Sequence, residues 1–182
     1  LTKQTEYMRI GVTPDIRVKA QEKADAFKQN PYTWRMFPGR LLGFIGEEAT
    51  YSWLAQYGEV EWPPSYDRHN YDLFFNGLKI DVKTKERNYT PRPYFEVTVG
   101  KEGMGTTQEC DIYFGVSVNP KESYNEAWLV GYLHKKEFFD KAVFFAHEGK
   151  FSQIPTDRYN VEFSKLRPPH ELLPNGQDNL CQ

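Results

Sequence analysis

The stretch from Tyr71 to Lys83 reads Tyr-Asp-Leu-Phe-Phe-Asn-Gly-Leu-Lys-Ile-Asp-Val-Lys. Asn76-Gly77 is the strongest short signal for a two-residue hairpin turn. Such a turn pairs Phe75 with Leu78, Phe74 with Lys79, Leu73 with Ile80 and Asp72 with Asp81. Leu73, Phe75, Leu78, Ile80 and Val82 then share an apolar face that must enter a core, while Asp72, Phe74, Lys79, Asp81 and Lys83 share the other. Directly opposed side chains stand about 4.5–5.5 Å apart at Cβ, where like charges destabilise a sheet. Two aspartates so placed are a local fault unless a cation lies between them, and a hard ion such as Mg²⁺ suits strand carboxylates. Lys83, two residues past Asp81 on the same face, adds an ammonium that can neutralise developing charge or orient an attacking water. A merely solvated strand face, with Lys83 offsetting two exposed aspartates, would show the same alternation. The hairpin alone leaves both readings open.

The elements that would hold this hairpin can be read on either side of it. Thr13-Pro14 makes an N-cap and first-turn pair, opening a helix to about Asn30 that Pro31 stops. A second helix covers about Arg40 to Gln56, with Leu42, Ile45, Ala49 and Trp53 at helical spacing and Gly58 as C-cap. After the hairpin, Tyr94–Val99, Asp111–Val118 and Glu126–Tyr132 read as strands, His134–Lys141 as a short helix and Asn160–Phe163 as a last strand. Helices before and after a central sheet place the chain in the α/β or α+β class. No repeat or linker divides it, so residues 1–182 are expected to form one domain. Its core spans about 40–145, with a helical N-terminal extension over 1–39 and a C-terminal extension after about 145.

At 182 residues with 16% aromatic and 26% charged side chains, the composition is that of a folded domain able to bury its own core. A net charge of −2 argues against a histone-like protein that binds nucleic acid over its whole surface, and leaves room for a local basic cleft. His69, His134, His147 and His170 are scattered and make no zinc spacing. Cys110 and Cys181 read as free thiols of a reducing compartment. No apolar stretch approaches membrane length and no signal-like core opens the chain, so the expectation is a soluble, cytoplasmic protein.

Asp72, followed nine residues on by the Ile80-Asp81-Val82-Lys83-Thr84-Lys85 run, resembles the signature of the PD-(D/E)XK nuclease superfamily. There an Asp begins one hairpin strand, and an acidic residue, any residue and a Lys lie on the next. The Pro usual before the first Asp is replaced by Tyr71. Gly43-Phe44-Ile45-Gly46-Glu47-Glu48-Ala49 is similar to the Gly-Glu helix of many members, and favours Glu47, with Glu48 left open. Cys110–Val118 and Trp128–Phe138 resemble the following strand and the strand-to-helix passage, so the likeness covers about Arg40 to Phe139. The resemblance implies a restriction-endonuclease-like core, a central mixed β-sheet flanked by helices, and metal-dependent hydrolysis of phosphodiester bonds in DNA. It assigns Mg²⁺, with Mn²⁺ as substitute, to Asp72, Asp81, Glu47 and the carbonyl of Val82. It gives Lys83 the task of positioning the attacking water, and 5′-phosphate and 3′-hydroxyl ends as products.

Beyond the signature, Lys79, Lys83, Lys85, Arg87, Arg92 and Lys101 make a locally basic span interleaved with Tyr89 and Tyr94. Lys85, Arg87 and Arg92, with Arg68 before the hairpin, are the expected contacts to phosphates, which give affinity without sequence information, and His69 is expected to line the same cleft. Lys135 and Lys136 read as an ordinary solvated helix start. No helix-turn-helix or zinc finger suggests a separate reading module. Three functions compete: a DNA endonuclease or exonuclease, with a homodimer required only for its junction-resolving version; an inactive member of the same fold that binds nucleic acid; and a small-molecule hydrolase. The last is weakest, because neither a Gly-x-Ser-x-Gly nor a phosphate-binding Gly-rich loop is present.

Overall fold

The computed structural model describes residues 7–27, 39–64, 71–100, 108–121, 124–146 and 157–174. Within them the chain is mixed α/β. Its strands are β1 (Met8–Gly11), β2 (Val60–Glu61), β3 (Leu73–Phe75), β4 (Leu78–Glu86), β5 (Glu96–Gly100), β6 (Ile112–Asn119), β7 (Glu126–His134), β8 (Val143–Phe145) and β9 (Arg158–Glu162). The helices are α1 (Pro14–Phe27), α2 (Gly39–Leu54) and α3 (Lys135–Lys141). Six strands form one sheet in the order β1-β7-β6-β4-β3-β2, and β5-β9-β8 form a second. Among the described residues, only the β4–β6 pair is parallel. A parallel pair needs a crossover rather than a tight turn, and here the connecting chain contributes β5 to the second sheet on its way.

The large sheet separates two cores. Strand alternation sends Ile80, Val82, Ile112, Phe114, Val116 and Val118 to one face, where they pack under α1 and α2. Tyr113, Val130 and Leu133 point to the other face, against α3 and the second sheet's Val97, Val99 and Val161. Trp53 of α2 is the largest fully buried side chain and lies 6.0 Å from the ring of Phe114. Removing such a ring from a core costs about 3–5 kcal/mol.

Two local features bring α2 to the sheet. Thr13 caps α1, its hydroxyl accepting the N–H of Ile16 at 3.3 Å, and Ile16, Ala20 and Ala24 form a narrow buried stripe that lets α1 lie close to α2. Gly46 does the same for α2 and β4. A Cβ there would stand 1.9 Å from the Thr84 hydroxyl oxygen, so only glycine permits this approach.

The N-terminal segment, expected to be helical, also contributes β1, which pairs antiparallel with β7 at the sheet edge. Four residues alternating between half-buried and exposed are too few to announce a strand against the helix that follows them. β2 and β8, of two and three residues, escaped for the same reason. The expected helix stop at Pro31 lies outside the described residues. Cys110 is a free, buried thiol; Cys181 lies outside the described residues. Among the described residues no helix is long and apolar enough to cross a membrane.

Candidate active site

The hairpin forms in the register its turn residues demand. Asn76 (φ 50°) and Gly77 (φ 80°) both occupy the left-handed region, as a type I′ turn requires. Phe75 pairs with Leu78, Phe74 with Lys79 and Leu73 with Ile80.

There the ladder stops, and the expected face-to-face pair of Asp72 and Asp81 does not form. Asp72 donates its own N–H to the carbonyl of Ile80 at 2.8 Å, so it folds onto the end of the ladder instead of extending it. Its Oδ2 accepts the N–H of Val82 at 2.7 Å, taking the place a strand carbonyl would have held. Strand alternation turns the Val82 carbonyl toward the same edge, past the end of β3. Ending β3 early spares the two aspartates a direct clash and still keeps them in one neighbourhood.

Asp81 is 2% exposed. A buried carboxylate needs charge and hydrogen-bond partners, and it has both. Its Oδ2 pairs with the Lys83 ammonium, and its Oδ1 accepts the side-chain N–H of Gln108. Gln108 also accepts from Lys83 Nζ at 3.4 Å, closing a three-membered network. The Lys83 ammonium lies 5.7 Å from the ring of Tyr113, the residue paired with Asp81 on β6.

Gln108 gave no signal in the sequence. It lies 27 residues from Asp81 and 25 from Lys83, and no motif spacing singles it out. The segment holding it is itself tied down. The Gln108 carbonyl accepts the N–H of Cys110 at 3.0 Å and the ammonium of Lys135, and Asp111 exchanges bonds with the backbone of Lys79 at 2.8 Å each way. Lys135 is therefore not the solvated helix residue its position suggested. Its ammonium reaches back to the segment that buttresses Asp81. Lys136 does remain exposed, paired with Asp140.

From the other face α2 supplies Glu47 and Glu48, both buried. Glu48 is paired with Lys23 of α1, whose ammonium also lies 2.9 Å from the centroid of the Trp62 ring. Glu47 differs: its Oε2 is buried with no hydrogen-bond partner among the described residues. Burial, then repulsion from Asp72, holds the Glu47 carboxyl well above the usual carboxylate range. Lys23 opposes this, and Asp81 and Glu48 add to it. Of the two glutamates, Glu47 is the one with an unpartnered buried oxygen and with its carboxyl raised by burial and by the charges of Asp72 and Asp81. Lys23, like Gln108, was not among the expected site residues.

The fit of a divalent cation can be judged from these groups. Among the described residues, no three His, Cys, Asp or Glu side chains stand together as a ready-made cage. The donor chemistry nonetheless suits a hard ion: two aspartates, a glutamate with an unpartnered buried oxygen, and a nearby backbone carbonyl. In the arrangement seen, Lys83 supplies the positive charge that Asp81 requires.

Among the expected phosphate contacts, Lys85 is half-buried on β4, and burial together with Arg87 and Arg158 lowers its ammonium to about 8, against the pull of Glu96. Arg87 lies over Phe95, and Arg92 donates to the Tyr94 hydroxyl at 3.0 Å. Arg68, His69 and Lys101 lie outside the described residues. No protein-family model and no curated protein matches the chain, so the likeness to PD-(D/E)XK nucleases rests on its own residues.

Proposed function

We propose that the chain is a metal-dependent nuclease of the PD-(D/E)XK type, with a restriction-endonuclease-like core, that hydrolyses phosphodiester bonds in DNA. The observation that carries this reading is the buried Asp81–Lys83 ion pair of β4. It lies beside Asp72 at the end of β3 and within electrostatic range of the unpartnered Glu47 on α2. A solvated strand face would have neither a buried aspartate nor a buried orphan carboxylate opposite it. Burying several like charges costs stability, and such costs persist mainly at sites that use them.

In this reading Asp72, Asp81, Glu47 and the Val82 carbonyl would hold Mg²⁺ or Mn²⁺. When bound, the ion would lower the pKa of a water and offset charge on the phosphate. Lys83 would orient that water, and Gln108, bonded to both, would keep Lys83 and Asp81 in register. The half-buried Lys85 and Arg87 and the exposed Arg92 would meet backbone phosphates farther along the strand.

One observation favours the second reading, a member of this fold that binds nucleic acid without cutting it. Asp81 is already engaged by Lys83 and Gln108. Incubation with supercoiled, linear, single-stranded and branched DNA, in Mg²⁺ and in EDTA, separates the two. Cleavage of at least one substrate only with metal supports the nuclease; binding without cleavage of any supports the alternative.

A further inference from the structure

Tyr89 and Tyr94 are 63% and 61% exposed, more than any other large apolar side chain among the described residues. Two exposed rings lining one cleft offer faces on which a ligand can stack. They flank this cleft of about 420 Å³ between residues 86–89 and 94–96, just past the end of β4, within the usual size range of ligand sites. Cations surround the rings. Arg92 and Lys121 stand 6.0 and 5.6 Å from the centre of Tyr89, at the outer limit of cation–π contact, so the ring is attended without being covered. Arg87 lies 5.2 Å from Phe95, which meets Tyr94 edge-on at 5.2 Å. Two carboxylates also line the cleft: Glu96 accepts from Asn160 at 2.8 Å, and Glu86 is exposed.

The cleft continues the strand that carries the proposed active site. Asp81, Lys83 and Lys85 share one face of β4, and Arg87 follows, still bonded to β6 through the Val118 carbonyl at 2.9 Å. Four residues of extended strand, at about 3.3 Å each, put Arg87 about 13 Å from Lys83. A row of cations leads from Lys83 to a pair of exposed tyrosines.

We infer that this cleft binds single-stranded DNA, stacking unpaired bases on Tyr89 and Tyr94 while Lys85, Arg87 and Arg92 follow the backbone. The chemistry separates single strands from duplex. Cations alone would hold either, but an exposed ring can stack only on a base whose own face is free, and duplex bases spend their faces on one another. The inference rests on the nuclease reading for its substrate class and gives that enzyme single-stranded DNA as its preferred ligand.

The test measures fluorescence anisotropy of a labelled oligothymidylate and of a duplex of equal length with the full chain in EDTA, where no metal-dependent cutting occurs. The proteins are wild type, Tyr89→Ala/Tyr94→Ala and Tyr89→Phe/Tyr94→Phe. Wild type is expected to bind the single strand more tightly than the duplex. The alanine pair should lose at least about tenfold in single-strand affinity with less than about twofold change on duplex, and the phenylalanine pair should retain wild-type affinity. Unchanged single-strand affinity in the alanine pair, or equal loss on both ligands, overturns the inference. Repeating the assay as cleavage in Mg²⁺ keeps the two claims apart. A wild type that cuts while the alanine pair binds normally defeats the stacking cleft alone; a wild type that binds through the tyrosines and cuts nothing defeats the nuclease alone.

Discussion

The carboxylate of Asp72 caps the backbone N–H of Val82 at 2.7 Å, one residue beyond Asp81 and one before Lys83. This bond makes Asp72 part of the hairpin's architecture as well as of the proposed chemistry, and the two roles can be separated. Asp72→Asn keeps an oxygen that can accept from Val82 and loses the charge. Asp72→Ala loses both, leaving an N–H at the edge of a core without its partner, at about 1–3 kcal/mol. Thermal unfolding should show the Asn variant near wild type and the Ala variant clearly weaker, with DNA cleavage abolished in both. Equal stability of the two would mean that the cap contributes nothing.

Glu47 should cost the metal-free protein stability. Its folded-state pKa lies well above the ordinary 4.5 through burial and the nearby Asp72. The native state therefore binds the extra proton between those two values, and stability falls as pH rises through that window. Glu47→Gln removes the charge and should raise stability at neutral pH by about 0.5–2 kcal/mol, the usual size of a stabilising substitution, while on the proposed reading cleavage is lost. Denaturant melts in EDTA at pH 5 and pH 7.5 provide the check: the gain should be larger at the higher pH, and a variant less stable than wild type at both would count against the assignment.

The contact between Gly46 and Thr84 sets how closely α2, and with it Glu47, can approach β4. Gly46→Ala places a methyl 1.9 Å from the Thr84 hydroxyl oxygen, so the helix must move. Overpacking of this kind costs about 1–3 kcal/mol. Thr84→Ala should recover part of the loss, because the hydroxyl it removes is buried without a hydrogen-bond partner among the described residues. A double-mutant cycle on stability and on cleavage rate tests this coupling; strict additivity would show that the two residues do not meet.

Much of this hairpin is legible in the sequence, because its grammar is local. Asn76-Gly77 dictates a turn needing positive φ at both positions, and the turn dictates the register from Phe75–Leu78 to Leu73–Ile80. What lay beyond local reach was the end of that ladder. Pairing rules extend it to Asp72 and Asp81, whereas the competing bonds from Asp72 to Ile80 and Val82 stop it one pair short. Gln108, Lys135 and Lys23 reach the site only through tertiary packing, with no spacing to betray them. Polar residues outside a motif look alike in sequence whether they face solvent or a buried aspartate.

On the proposed reading, Lys85 should make nucleic-acid binding sensitive to alkali. Its ammonium, lowered to about 8 from the ordinary 10.5 by burial and by Arg87 and Arg158, is charged at pH 7 and largely neutral at pH 9. Affinity for DNA should therefore fall several-fold across that interval at fixed salt. Lys85→Arg, charged throughout, should flatten the profile, and Lys85→Met should hold it at the weaker level. The fold should respond oppositely. Between 8 and 10.5 the unfolded chain binds more protons at this residue, so its contribution to stability rises with pH. Binding curves from pH 6.5 to 9.5 that show no step would remove Lys85 from the contact surface.

The most direct measurement compares wild type with Lys83→Ala on a labelled DNA strand, following cleavage in Mg²⁺ and in EDTA and binding in EDTA, with circular dichroism to verify the fold. Wild type should cut only with metal. The variant should lose at least about a hundredfold in rate, the scale of a positioned proton-transfer or water-orienting group, while binding DNA within about twofold of wild type. Cutting by the variant at the wild-type rate, or cutting by wild type at the same rate in EDTA, would contradict the account.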